Sequence, residues 1–330
     1  MEYRFLGKTG IKVSELAMGT WTFGGEADAE TSRAMFERCR DVGINVFDCA
    51  DSYHGGRSEE ILGRLIADCR DEVIITSKAY FPTADHPNAG GASRRHLLRS
   101  VEDSLRRLNT DWIDVFFIHR FDARTALEET LRALDDLVSQ GKILYPGASN
   151  FAAWQVEKAL GISALHGLAR FACIQPMYNL VKRQAEVEIL PMAEAENVGV
   201  MTYSPLGGGL LTGKYGTNRR PASGRLVEDD IFQVRYGQDW MYDVAGRFAT
   251  FAVEHGFDPA PLAAAWVGSH PAVTAPIIGA RNVEQLEGTL GAAQIKMTPA
   301  LRAEIAALAS TPPPATDRNE ERTSVNYGVR

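Results

Sequence analysis

Asn45-Val46-Phe47-Asp48-Cys49-Ala50-Asp51-Ser52-Tyr53 opens as a short apolar run, closes on an acid at Asp48, and reaches a tyrosine a few residues later. The same form recurs twice downstream. Val73-Ile74-Ile75-Thr76-Ser77-Lys78 ends on an ammonium, and Ile113-Asp114-Val115-Phe116-Phe117-Ile118-His119 ends on an imidazole. Turn residues and a helical pattern follow each run. Apolar strands that end one after another in ionisable groups are how a (β/α) barrel gathers chemistry on its C-terminal face.

The rest of the chain keeps that rhythm. A hairpin is expected at the N-terminus, turning at Lys8-Thr9-Gly10. Strands are then expected over 16–21, 45–48, 73–78, 113–119, 143–149, 171–176, 198–203 and 274–279. Helical patterns are expected over 28–42, 58–69, 93–108, 125–139, 151–160, 182–195, 239–255, 261–269, 283–290 and 299–309. The strand runs are nearly all apolar rather than alternating, as in parallel sheets covered on both faces. An open doubly wound sheet would carry G-x-G-x-x-G after its first strand, and Met18-Gly19-Thr20-Trp21 does not supply it. The fold expected is an α/β (β/α)8 TIM barrel with an N-terminal β-hairpin, in a single domain over 1–309. Long loops follow the third and seventh barrel strands, at 80–91 and 206–238, where lids and substrate walls are usual. The tail at 310–330, rich in proline and charge, is expected to be poorly packed and partly disordered.

Composition narrows the partners. The 330 residues are 45% hydrophobic and 23% charged, an ordinary globular balance, with a formal net charge of −7. That sign excludes neither a local phosphate pocket nor a homo-oligomer, but it points away from nucleic acid and anionic membrane surfaces. No run reaches the roughly 20 apolar residues of a membrane helix. The start Met1-Glu2-Tyr3-Arg4 lacks the pattern of a secretory signal. Cys39, Cys49, Cys69 and Cys173 form no C-x-x-C pair and are expected as buried, reduced thiols, hence a cytoplasmic protein without a metal site.

Asp48, Tyr53 and Lys78 make chemical sense together. A free phenol ionises near pH 10 and is a poor acid at neutral pH. A neighbouring ammonium lowers that value, and a carboxylate keeps the ammonium charged and oriented. The trio is thus a tuned proton donor for a developing alkoxide, and His119 can fix the direction of the same oxygen. Taken one at a time, such residues are ordinary caps, turns or surface groups. The reaction also needs a hydride, which no side chain provides, so a nicotinamide cofactor is implied.

The sequence resembles the aldo-keto reductase family, and within it the branch of aryl-alcohol dehydrogenases and potassium-channel β subunits. Phe47-Asp48-Cys49-Ala50-Asp51-Ser52-Tyr53 with Gly55-Gly56-Arg57-Ser58-Glu59 looks like the family's Asp-to-Tyr segment. Ser104-Leu105 and Arg107-Leu108, then Asp114 to His119, resemble its fourth-strand signature. Gly147-Ala148-Ser149-Asn150, Gln175-Pro176, Tyr203-Ser204-Pro205-Leu206 and Ile277-Ile278-Gly279-Ala280-Arg281 extend the likeness.

The resemblance implies carbonyl reduction with NADPH, NADH being an alternative. It makes Tyr53 the proton donor, tuned by Lys78 and Asp48, with His119 orienting the substrate. Ser149, Asn150 and Gln175 would hold the carboxamide, and Tyr203 would stack on the nicotinamide. Ser204, Pro205, Leu206 and Gly208 would follow the pyrophosphate, and Arg281 would meet the 2′-phosphate. The glycine loop's own chemistry adds Lys214 for the pyrophosphate, the alternative being a solvated lysine on a flexible loop. Thr20, Trp21, Asp48, Gly279 and Gln285 complete the implied cofactor set. Trp21, Tyr80, His86 and Trp240 are candidates for substrate walls. His54, Thr289 and Cys49 depart from the commoner family residues at their positions.

Gly208-Gly209-Leu210-Leu211-Thr212-Gly213-Lys214-Tyr215 matches G-x-x-x-x-G-K but ends on Tyr215, where a P-loop needs Ser or Thr for magnesium. Two other readings stay open at this stage. One is a cofactor-sensing binding subunit, against which the short N-terminal segment counts. The other is a Schiff-base aldolase barrel that uses Lys78.

Overall fold

Eight parallel strands close on themselves, each bonded to the next. The computed structural model describes residues 1–316. The hairpin is β1 (Tyr3–Phe5) and β2 (Lys12–Ser14). The barrel strands are β3 (Ala17–Gly19), β4 (Val46–Asp48), β5 (Ile74–Ala79), β6 (Ile113–Ile118), β7 (Ile143–Ser149), β8 (Cys173–Gln175), β9 (Gly199–Thr202) and β10 (Ala275–Ile278), with β10 pairing β3 to complete the ring. Around them run α1 (Ala29–Asp41), α2 (Arg57–Leu65), α3 (Arg94–Leu108), α4 (Leu127–Ser139), α5 (Ala153–His166) and α6 (Ile189–Ala195). After β9 come α7 (Arg225–Glu228), α8 (Asp230–Tyr236), α9 (Asp239–Glu254) and α10 (Pro259–Gly268), and after β10 come α11 (Val283–Leu290) and α12 (Pro299–Ala306).

Local sequence explains the units. In α3, Ser93 caps the start by accepting from the His96 N–H, and Asn109 ends the helix at φ 50. Leu97, Val101, Leu105 and Leu108 fall on one face at helical spacing and are all buried. The strand that comes after it, β6, is buried at every position, even at Asp114. That carboxylate is satisfied by Arg70 at 2.8 Å and by the Ile75 N–H at 2.8 Å.

Two apolar layers result. One lies between strands and helices and includes Phe47, Leu62, Leu97, Phe116 and Leu134. The other fills the barrel with Val46, Val115, Phe117, Met201 and Ile277, and the hairpin's Leu6 and Val13 seal it from the N-terminal end. The seal is tight at Gly7, which sits at φ +57 and where a Cβ would stand 2.6 Å from the Gly199 nitrogen. The floor is therefore closed, and only the C-terminal rim is free for chemistry.

Some expectations need correction. The helix expected over 182–195 is confined to α6 behind a 3₁₀ turn at Gln184–Glu186. Pro191 has no N–H for the Val187 carbonyl, so a helix can hold it only in the first turn. The 206–238 loop is less irregular than expected, since it contains α7 and α8. Asp229 nucleates α8 by accepting from the Ile231 and Phe232 N–H groups. The helix begun near Ser58 stops at Leu65, which leaves Cys69 in a turn and half-buried, while Cys39, Cys49 and Cys173 are buried as expected. The tail at 310–330 lies mostly outside the described residues. No helix among the described residues is long and apolar enough to cross a membrane.

Candidate active site

The barrel register brings the ionisable strand ends together. Asp48 lies opposite Thr76, and Lys78 lies opposite Phe117 on the next strand. Lys78 is completely buried and its Nζ donates to Asp48 Oδ2 at 2.7 Å, to the Cys49 carbonyl at 2.5 Å and to Tyr53 Oη at 3.4 Å. The other oxygen of Asp48 accepts from Thr76 Oγ1 at 2.5 Å and from Gln175 Nε2 at 2.8 Å. The carboxylate thus has a donor on every side and a counter-ion, which a buried charge needs.

Tyr53 is set by a sharp turn. His54 at φ 49 and Gly55 at φ 66 are left-handed, and the chain reverses there into α2. The Tyr53 ring packs edge-on against Trp21, 4.9 Å between centroids, and lies 6.1 Å from His119. Phe81 closes the other side, edge-on to His119 at 4.9 Å and to Tyr80 at 5.4 Å.

Burial governs the proton affinities. It pushes the Tyr53 phenol up to about 12; Lys78 pulls the value back and Asp48 adds to the rise. The sequence-based expectation that Lys78 sets a lowered value is corrected here, because desolvation outweighs the ammonium. At neutral pH the phenol is fully protonated and keeps its proton to give. Burial works against the Lys78 ammonium, yet Asp48 and then Tyr53 outweigh it and the net shift is upward. A lysine held charged in this way is not a free amine, so the Schiff-base reading loses its nucleophile. Burial first and Lys78 second lower His119 to about 3, so its imidazole is neutral. Its Nδ1 is buried and has no hydrogen-bond partner.

The ends of β7, β8 and β9 continue the rim. Asn150, at φ 58, donates from Nδ2 to the His119 carbonyl at 2.9 Å and to Ser149 Oγ at 3.1 Å. Ser149 Oγ donates to the Gln175 carbonyl at 2.9 Å, and Tyr203 Oη donates to Asn150 Oδ1 at 2.6 Å. Amide and hydroxyl groups from three strand ends therefore meet beside His119.

Beyond Tyr203 the backbone changes character. Ser204 is at φ 57, and Gly207, Gly208 and Gly209 follow at +58, +67 and +98. A Cβ at Gly208 would stand 2.6 Å from the Phe232 ring. Lys214, just after this cradle, has its proton affinity lowered by burial and then by Arg281 and Arg225. Arg281 forms no ion pair among the described residues, and its N–H donates to Gln285 Oε1 at 3.2 Å. Clustered cations beside glycine amides suit phosphate, and the paired amides suit a carboxamide, so the donor set fits a nicotinamide dinucleotide.

Not every candidate converges. His86 is exposed on its own loop, where Nδ1 accepts from the Asn88 N–H. Trp240 is 45% exposed and donates to Gln238 Oε1 at 2.6 Å. Neither makes a described contact with Tyr53, Lys78 or His119. Thr20 is buried, its hydroxyl engaged by the Asp48 carbonyl and Ser58. Of the departures, His54 bonds from Nε2 to the Trp21 carbonyl at 2.7 Å, and Thr289 spends its hydroxyl on the Gln285 carbonyl of its own helix. Phe81 was not foreseen, although its place beside Tyr80 after the Lys78 strand was the available signal. No group of His, Cys, Asp and Glu among the described residues is arranged to hold a metal.

Comparison with known proteins agrees with this geometry. The model of the aldo/keto reductase family matches residues 15–310. A probable voltage-gated potassium channel subunit beta of Oryza sativa subsp. japonica is 35% identical over 327 residues, covering 96% of this chain and 99% of that protein. A protein of the same description from Arabidopsis thaliana is 36% identical, covering 89% and 92%. An uncharacterized oxidoreductase, YrpG, of Bacillus subtilis (strain 168) is 37% identical, covering 90% and 92%. With the family pattern running across the barrel and its whole rim, the chain belongs to the aldo/keto reductase family.

Proposed function

We propose that this protein is an oxidoreductase that reversibly reduces aldehydes or ketones to alcohols, using NADPH in preference to NADH. One observation carries the reading: the Tyr53 hydroxyl lies 3.4 Å from a buried lysine that Asp48 keeps charged. Ser149, Asn150, Gln175 and Tyr203 would hold the nicotinamide end, and Gly208, Lys214 and Arg281 the phosphates. A bound reduced nicotinamide supplies hydride to a carbonyl carbon.

The chain's own residues handle the proton. Tyr53 Oη delivers it to the carbonyl oxygen as negative charge develops there. Lys78 Nζ, already directed at Oη, stabilises the phenolate left behind, and Asp48 holds that lysine charged and in place. Neutral His119 has one ring N–H to offer the same oxygen without competing as an acid. Trp21 and Phe81 flank the position. Free cysteines favour a cytoplasmic setting.

The test is NADPH oxidation across a panel of aldehydes, ketones and keto-sugars, repeated with NADH. Turnover on at least one carbonyl class, faster with NADPH, is expected. The relatives described as channel subunits favour a second reading, a cofactor-binding subunit with negligible turnover. Tight NADPH binding with no oxidation on any carbonyl would select it.

A further inference from the structure

Asp51 lies between Asp48 and Tyr53, in the turn that carries the phenol. Its N–H donates to the Lys78 carbonyl at 3.1 Å, which ties the turn to the lysine strand. The residue is 2% exposed, and neither carboxyl oxygen has a hydrogen-bond partner. Every other buried carboxylate near it is matched. Asp48 pairs with Lys78. Glu59 on α2 is fully buried, pairs with Arg107 of α3 at 2.7 Å and accepts from Ser77 Oγ at 2.5 Å.

The charges facing Asp51 can be counted. Lys78 comes from β5 and Arg107 from α3, against the carboxyls of Asp48, Asp51 and Glu59. Two cations are spent on Asp48 and Glu59, so a third buried anion has no counter-ion. Buried charges without partners shed their charge by taking up a proton. Asp51 is the one carboxyl of the three with neither a counter-ion nor a side-chain donor, so the proton resides there. Burial and then the Glu59 carboxylate hold its value up to about 8, against weaker pulls from Arg107, the Ser52 amide and Lys78.

We propose that Asp51 works as a neutral carboxylic acid and is a positioning residue for proton delivery: its ionisation places an unpaired negative charge beside the Tyr53–Lys78 pair and weakens the phenol as an acid. The coupling half of this proposal rests on the carbonyl-reduction reading above. The direction follows from electrostatics, since a nearby anion disfavours the phenolate that proton donation must leave behind. Carbonyl reduction should therefore fall as the pH rises through the ionisation of Asp51, near pH 8. One unit above that midpoint the loss reaches at most about tenfold.

Two measurements separate the parts. In the protein without added cofactor, infrared difference spectra between wild type and Asp51→Asn should show a protonated-carboxyl band at neutral pH that fades as the pH passes about 8. In turnover, Asp51→Asn, which keeps the shape and cannot ionise, should retain its kcat/KM for reduction where the wild type falls. Glu59→Gln removes the neighbouring anion and should move the wild-type limb to lower pH. No carboxyl band at neutral pH, or Asp51→Asn and wild-type profiles that superimpose, would overturn the proposal. A band without turnover on any carbonyl would instead overturn the reduction reading and the coupling with it.

Discussion

The rim of this barrel is built in two ways. Where β4 and β5 end, Asp48 and Lys78 are locked by strand register, burial and matched charge, and the turn after β4 holds the half-buried Tyr53 against them. Past β9 the backbone takes a run of left-handed glycines, and Lys214, Arg225 and Arg281 stand partly exposed on loops and short helices. In the proposed reading the first region would fix distances between atoms that exchange a proton, which tolerates little misplacement. In the same reading the second would present donors to a cofactor that must enter and leave, and lighter packing suits that traffic.

Substitutions can break or sharpen this contrast. The largest effect is expected at Lys78. Lys78→Met leaves the Asp48 carboxylate buried without its counter-ion, at a cost of about 3–5 kcal/mol in urea unfolding, and turnover should disappear. Stability equal to wild type would show that the pair is not the dry, matched unit described here. Arg281→Ala comes next. Loss of a charge-assisted contact of about 1.5–3 kcal/mol should weaken NADPH binding roughly ten- to a hundredfold in a fluorescence titration while barely changing NADH. Equal losses for both cofactors would remove the 2′-phosphate from Arg281.

The smallest effect is expected at Glu26, which faces His54 at 3.9 Å and Arg225 at 3.5 Å and so links the loop after β3 to α7. These pairs are exposed, and such pairs contribute under about 1 kcal/mol. Glu26→Gln should speed NADPH release by no more than about fivefold in stopped flow. A larger change would mean that the loop side is held more firmly than its exposure indicates.

Much of the fold was legible because strand periodicity and the ionisable ends coincide. Asp48, Lys78 and His119 could be read from the runs they close, and register then brought them together. What stayed hidden depended on three-dimensional context. Pro191 shortened a helix through one missing N–H, and Asp229 created another through a cap. The upward shift of Tyr53 could not be read from its neighbours' charges, because the dominant cause is desolvation, which only packing reveals. Asp51 stood within the quoted motif throughout, yet nothing in a sequence marks a carboxyl as unpartnered. His86, on a loop, and Trp240, in the first turn of α9, bond only to near neighbours in the chain, which the sequence could not reveal.

The central claim is that Tyr53 donates the proton from a site whose cofactor binding does not depend on it. A single-turnover experiment tests this directly, mixing NADPH-loaded wild type and Tyr53→Phe with the best aldehyde of the panel. The account predicts unchanged NADPH affinity in the variant and a reduction rate lower by about 10²–10⁴-fold. A variant that oxidises NADPH at the wild-type rate would contradict it.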